Sequence, residues 1–293
     1  MKKIVLSAVV AALLSGSSLF ASEATKATSN QAVAEAKAKI EKQNKDVKII
    51  KEAVEAVALT NEVLMDLDKG KKEDAIKKIE KAIGKLEVVM AAPNAPALIP
   101  IDSAVEVATF NGSLKDIQVA LITVKALLKE NKVQEARRLL NTLRSEIVLK
   151  TVNLPLASYP SALKLAAKFL HEDRIDEAKN VLTQALLTFV TIETITPIPL
   201  LKAQALIAEA EKAAKEKDKQ KALENLKAAK ENLKIAEALG YTSESDTTYK
   251  MLEDSIENIE KEVKGKNAAE KLFEELKAKL KEFKEKAVKI INK

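Results

Sequence analysis

A 17-residue pattern written four times along this 293-residue chain decides what it can fold into. The copies read LDKGKKEDAIKKIEKAI from Leu67, LKENKVQEARRLLNTLR from Leu128, LHEDRIDEAKNVLTQAL from Leu170 and AKEKDKQKALENLKAAK from Ala214. Each ends one helix, turns at Gly70, Asn131, Asp173 or Asp218, places a lysine or arginine next and opens a second helix. A helix that stops and reverses needs a residue at positive φ, which glycine adopts freely and asparagine or aspartate at modest steric cost. Ala75, Ala136, Ala178 and Ala222 then come one turn into the second helix, where a small side chain lets the two helices approach closely. The pattern therefore predicts four helical hairpins.

Proline marks their ends. All seven prolines fall in three clusters, and the first of each, Pro93, Pro155 or Pro197, lies 18 or 19 residues beyond its alanine. Gly240 keeps the same count in the fourth copy. Proline removes a helical donor and clashes inside a helix, so each cluster is expected to end a hairpin and begin the link to the next. The alanines are spaced by 61, 42 and 44 residues, too irregular for an open array of identical repeats. The fold class this implies is all-α: a bundle of packed, repeat-like αα hairpins, with a C-terminal antiparallel helix pair described below.

Residues 1–21 read as a secretory signal peptide. Lys2 and Lys3 make the positive start, Ile4 to Leu14 the apolar run, and Gly16 to Ala21 a small-residue exit with cleavage expected after Ala21. The run is too short for a stable membrane span, so an exported, periplasmic protein is expected. Residues 22–46 form a polar segment rich in Ala, Lys and Glu, readable as a frayed helix or a tether. The hairpin domain is expected over residues 47–241. Asp66, Asp68 and Gly70 invite a calcium-loop reading, but a lysine follows the glycine and no glutamate stands at the twelfth position.

Between the first and second hairpins, Leu98-Ile99-Pro100-Ile101-Asp102 precedes what reads as a short helical stretch through Val105 and Phe110. Asn111-Gly112 then turns the chain, and Ser113 is placed to cap the next helix with Asp116 in its first turn. The exits of hairpins two and three, Ile147 to Leu156 and Phe189 to Leu200, are rich in Val, Thr and Ile. They read as helix ends or irregular connectors, with a short pair of strands as the alternative. Hairpin four, paler in composition, is expected at the outside.

Residues 242–293 are a charged tail with two amphipathic helices, the first carrying Tyr249, Leu252, Ile256, Ile259 and Val263, the second Leu272, Leu276, Leu280 and Phe283. Glu244–Glu262 holds seven acids and two lysines, while Lys264–Lys293 holds ten lysines and five acids. Opposite charge predicts that the two fold back on one another as a hairpin.

The chemistry the chain can carry is narrow. It has no cysteine, so no disulfide, thiolate metal site or thiol nucleophile. The net charge of +6 falls to +4 without the signal, spread over interleaved charges of both signs with few aromatics, which argues against nucleic acid. The six glycines are scattered, so no phosphate loop exists. His171, the sole histidine, stands at the third turn without a triad or metal partner in sequence; its residue type suits a pH-sensing role. Tyr159, between Pro155 and Pro160 at the mouth of hairpin three, is the residue to inspect for ligand binding. No catalytic residue, metal site or cofactor is expected.

Leu98–Asp102, the turn and helix Leu128–Leu140, the Pro155-Leu156-Ala157 link into Ser161, and Leu170–Leu182 with Glu177-Ala178 together resemble the YfdX family of exported bacterial proteins. The resemblance runs from about Val47 to Tyr241. It implies an all-helical, homo-oligomeric periplasmic protein associated with stress responses, and it supplies no active-site residues. The reading favoured is a non-enzymatic protein that binds small hydrophobic molecules or protects client proteins through grooves between hairpins. The alternative is a structural homo-oligomeric scaffold with no small-molecule ligand.

Overall fold

The computed structural model describes residues 23–241, 247–265, 269–286 and 289–292. The signal segment and part of the turn at 242–248 lie outside the described residues. The described residues are predominantly helical. A polar helix α1 (Glu23–Asp46) precedes α2 (Lys51–Asp68) with α3 (Lys72–Met90), α4 (Leu114–Lys129) with α5 (Val133–Thr142), and α6 (Tyr159–His171) with α7 (Ile175–Leu186). These are followed by α8 (Ile198–Lys215) with α9 (Lys219–Ala238) and α10 (Thr247–Lys264) with α11 (Glu270–Lys286).

All four repeated turns use a left-handed residue. Gly70 has φ 69°, Asn131 57° and Asp173 59°. The next residue's amide reaches back five positions: Lys71 N to Asp66 O at 2.8 Å, Lys132 N to Leu127 O at 2.9 Å, and Arg174 N to Phe169 O at 2.9 Å. The positive-φ residue itself bonds three back, as Gly70 N does to Leu67 O. This nested pair satisfies two carbonyls that a helix end leaves unpaired. In the fourth copy the left-handed residue is Lys217 at φ 64°, one place before the expected Asp218. Asp218 instead caps α9, its Oδ1 accepting from Lys221 N at 3.0 Å. Aspartate is favoured there because its carboxylate takes an otherwise unpaired first-turn amide. The four alanines one turn on are 0 to 1% exposed, the close-approach points that the spacing predicts.

Between hairpins the connectors correct the sequence reading. Leu98–Ala108 is a strand, β1, where a short helix was expected; Glu146–Pro155 is β2 and Val190–Pro197 is β3, where helix ends or irregular links were expected. Their β-branched side chains crowd a helix but suit a pleated strand. Lys289–Asn292 adds β4, and the sheet order is β1-β2-β3-β4. Pro100 is tolerated because β1 lies at the sheet edge, where a missing donor costs no ladder bond. Prolines also open helices: Pro160 and Pro199 stand in the first turns of α6 and α8. The first three hairpins thus each lead into a strand, forming ααβ units, and β4 follows α10–α11.

The chain divides into two compact units, and the division falls within β1, β2 and β3. Unit one draws on Met1–Glu41, Glu106–Val148 and Ile195–Lys289; unit two takes Lys42–Val105, Leu149–Thr194 and Ile290–Lys293. In unit two, α3 packs on α6 and α2 on α7, so two hairpins share one core. Ile79, Leu86, Ile99, Leu154, Tyr159, Leu163, Leu170 and Leu182 fill it. In unit one, α9 packs on α10 and α11 on α8, giving a second four-helix arrangement. Hairpin four is therefore central to its unit, contrary to the outer place expected. Its alanines, Ala203, Ala210, Ala222, Ala229 and Ala236, let large side chains of the tail, Tyr249, Ile256, Phe273 and Leu276, supply the bulk. Tyr249 and Phe283 meet edge to face at 4.9 Å. Polar tail residues add an ion pair, Lys277 Nζ to Glu211 Oε2 at 2.7 Å.

The turn geometry sets opposite outcomes for two substitutions. Gly70→Ala places a Cβ in open space but keeps φ at 69°, so it should cost about 1 kcal/mol through the backbone alone. Lys217→Gly removes the corresponding strain and should stabilise the fold by about 0.5 kcal/mol. Urea midpoints of the two variants against the parent chain measure both signs.

Candidate interaction surface

The two residues singled out in the sequence do not meet in a site. Tyr159 begins α6 and is fully buried, its hydroxyl donating to Thr60 Oγ1 at 2.9 Å and its ring 5.5 Å from that of Phe189. Thr60 in turn donates to Ala56 O at 2.8 Å, so the chain of hydroxyls is satisfied within unit two. His171 ends α6 in solvent, with Nε2 3.9 Å from Glu80 Oε1 and both side chains more than half exposed. Beside the start of α6, Ser158, Ala162, Val181, Gln184, Ala185 and Thr188 line a shallow groove of about 280 Å³, which Tyr159 does not reach.

Carboxylates are held by lysines and not by one another. Asp66 takes Lys78 at 2.6 Å, and Asp68 pairs with Lys179. The calcium-loop residues are thus engaged in joining helices. Glu211, although buried, accepts from Lys215 and Lys277 at 2.7 Å each. Burial alone would raise its pKa, but the two ammonium groups outweigh it and hold the carboxyl below its ordinary range. Among the described residues no group of three or more His, Asp or Glu side chains is arranged to hold a metal ion. No described helix is long and apolar enough to cross a membrane.

The α4–α5 hairpin departs from its periodicity: the spacing of Val133, Ala136, Leu139, Leu140, Leu143 and Ile147 predicts one core-facing side, and Val133 and Leu140 are exposed. Its helix start is well made, with Ser113 Oγ accepting from Asp116 N and Asp116 Oδ2 accepting from Ser113 N at 2.7 Å, the cap expected from the sequence. Yet within these two helices only Ile117, Val124 and Ala136 are buried apolar residues. Ile122 is 68% exposed, Val119 and Val133 56%, Leu128 47% and Leu140 42%. The α2–α3 hairpin also exposes Val88 and Met65, but it buries nine apolar side chains. A helix apolar around most of its circumference, as α4 is, ordinarily lies inside a protein. Here α5 has α4 as its substantial packing partner, and α4 packs besides on α9. One signal was present in the sequence: Val119 to Leu128 reads VALITVKALL, a denser apolar run than one helix face requires.

Burial of the tyrosines fixes a pH limit on the fold. Desolvation pushes the Tyr159 phenol up to about 12, only partly offset by its bond to Thr60, and burial raises Tyr241 and Tyr249 in the same direction. An unfolded tyrosine releases its proton near pH 10, so the folded state binds more protons above that pH. The stabilisation is fully present below about pH 10 and should be lost as pH rises through about 12, with Tyr159 alone contributing on the order of 2 kcal/mol. Absorbance titration at alkaline pH should show no tyrosinate in the native protein where the urea-unfolded chain is already ionised.

Comparison with known proteins bears on the hairpin region. The family model described as YfdX protein matches residues 56–195. No curated protein matches the chain. A solved structure of Salmonella Typhi YfdX aligns with 17% identity over 52% of this chain and 94% of its own, at a TM-score of 0.37. Residues 56–195, which run from within α2 through the α4–α5 and α6–α7 hairpins, are thus similar to the YfdX family.

Proposed function

We propose that this chain is a non-enzymatic periplasmic protein that works by docking through its α4–α5 hairpin, and that the occupant of that face is the same hairpin of a second copy. One observation carries the reading: α4–α5 is the hairpin of which a single helix, α4, packs substantially on another hairpin, at α9, while α5 is left uncovered. Within unit two α2–α3 is covered by α6–α7, and within unit one α8–α9 is covered by α10–α11. Each of these pairings makes a four-helix core, and two α4–α5 hairpins facing each other would make a third. Such a contact would place Val119, Ile122, Val133 and Leu140 in an apolar seam, where full burial of each is worth about 1.5–3 kcal/mol.

Stress association, implied by the family resemblance, fits a protein whose output is an assembly. The groove-binding reading has less in its favour. The groove beside α6 and α7, about 280 Å³, is shallow and has no charged side chain among its lining residues to orient a ligand. Charge separates self-association from capture of an acidic client. Residues 114–143 carry six basic side chains and three acidic ones, so two copies repel weakly at the rim. Their association should tighten as salt screens that repulsion, whereas binding of an acidic client should weaken.

Sedimentation of the mature protein over a range of concentrations tests this. The parent chain should dimerise, and Ile122→Glu with Val133→Glu should remain monomeric with unchanged helicity and with the urea midpoint that the parent shows when diluted to monomer, since both positions are exposed in the single chain. In a two-fold interface each substitution counts twice, so about 3 kcal/mol or more than a hundredfold in dissociation constant is at stake. A parent chain that stays monomeric at high concentration, or variants that dimerise equally well, would reject the proposal.

A further inference from the structure

Lysines of this chain that lie in or near helix contacts are almost all paired. Lys215 and Lys277 hold Glu211, Lys221 holds Glu209, Lys230 holds Glu257, and Lys219 donates to Gly265 O at 2.7 Å. A cavity of about 400 Å³ in unit one, beside Glu211 and Phe273, has two of its three lysines, Lys215 and Lys219, already engaged. Lys202 is different. It lies on α8, largely buried, and among the described residues it has no hydrogen-bond or ion-pair partner. Burial with nothing to offset it holds the ammonium below the ordinary lysine range. An unpaired, partly dehydrated charge is costly to the folded state, so its retention calls for a partner that the chain does not itself supply.

Lys202 lines a cavity of about 260 Å³ in unit one, bounded by α1, the turn before α4, α8 and α9. From this and its unmatched charge we propose that the cavity binds a small monocarboxylate, whose carboxylate pairs with Lys202 and whose apolar body rests against Phe110, Leu206 and Ile235. The walls supply both parts of that ligand. Phe110 is folded over Gly112, with its ring 2.5 Å from where a Cβ would stand, so the Asn111-Gly112 turn keeps the ring against the cavity. Lys26, from α1, and Glu231, from α9, complete the charged lining. Two lysines against one glutamate leave a single positive charge, which suits one negative charge and is unfavourable for a dianion such as phosphate. The volume excludes large drug-like molecules and admits a ring or short chain bearing one carboxylate.

This site is independent of the docking hairpin and tests separately. Titration calorimetry of the full mature protein with benzoate should show one saturable site, with inorganic phosphate and benzylamine binding at least about tenfold more weakly. Lys202→Met should weaken benzoate at least about tenfold while Lys230→Met, removing a paired lysine, leaves it unchanged; a charge-assisted bond of this kind accounts for a factor of that size. Circular dichroism checks that both variants are folded. As a readout that needs no variant, benzoate should protect Lys202 from acetylation by an activated ester, detected by peptide mass. No benzoate binding, equal binding by Lys202→Met, phosphate binding as tight as benzoate, or unprotected Lys202 at saturating benzoate would each overturn the assignment.

Discussion

Every repeated hairpin in this protein depends on one local event, the closure of a helix end by a residue in the left-handed region followed by an amide that reaches back five positions. Gly70, Asn131, Asp173 and Lys217 all make this turn, with side chains of different chemistry. Glycine does so without strain, asparagine and aspartate with little, and lysine at a cost that the rest of the hairpin offsets. What the turn makes possible is the buried alanine one turn later. Ala75, Ala136, Ala178 and Ala222 allow two helices to approach where any larger side chain would hold them apart.

A hairpin closed in this way still leaves one face bare, and two helices cannot bury a core by themselves. The molecule answers by pairing hairpins within each unit. In unit two the aliphatic side chains come from both partners, and Tyr159 completes the core with a hydroxyl that is already satisfied by Thr60. In unit one the contributions are uneven, with alanine on α8 and α9 and bulk on α10 and α11. The same requirement makes α4–α5 conspicuous, because its apolar faces are as strong as those of the other hairpins and its cover is not. Polar groups follow the same rule of pairing, which is why the solitary ammonium of Lys202 is more telling than any carboxylate cluster.

Much of this was legible in the sequence, for physical reasons that also mark where legibility ends. Helix ends are local, so the turns, the alanines and the Ser113 cap could be read from residue type and spacing, and the tail hairpin from the opposite charge of its two helices. The fourth turn was misplaced by one residue because aspartate is the better left-handed residue by type; the frame of the repeat, which puts Lys217 at that position, was the stronger signal. β1 was missed although Ile99, Ile101, Val105 and Val107 alternate with Pro100, Asp102, Ala104 and Glu106. Pro100 hid a period of two that the burial alternation from Ile101 to Val107 makes plain. β2 and β3 were obscured by their place directly after helices, where a β-branched run also reads as a fraying end. Which helix covers which is not local at all, so neither the central place of hairpin four nor the exposure of α4–α5 was available from composition. Tyr159 and Lys202 show the same limit from opposite sides. Tyr159 reads as accessible between its prolines and is sealed, while Lys202 carries no mark in the sequence and is largely buried with no partner among the described residues.

Cover for α4–α5 is, on the proposed reading, supplied by a second copy of the chain. Amide hydrogen exchange of the mature protein, followed segment by segment at low and high protein concentration, addresses it directly. Exchange in α4 and α5 should slow as concentration rises, while α6 and α7, already covered within the chain, should exchange at the same rate throughout. Exchange in α4 and α5 that is fast and independent of concentration would contradict it.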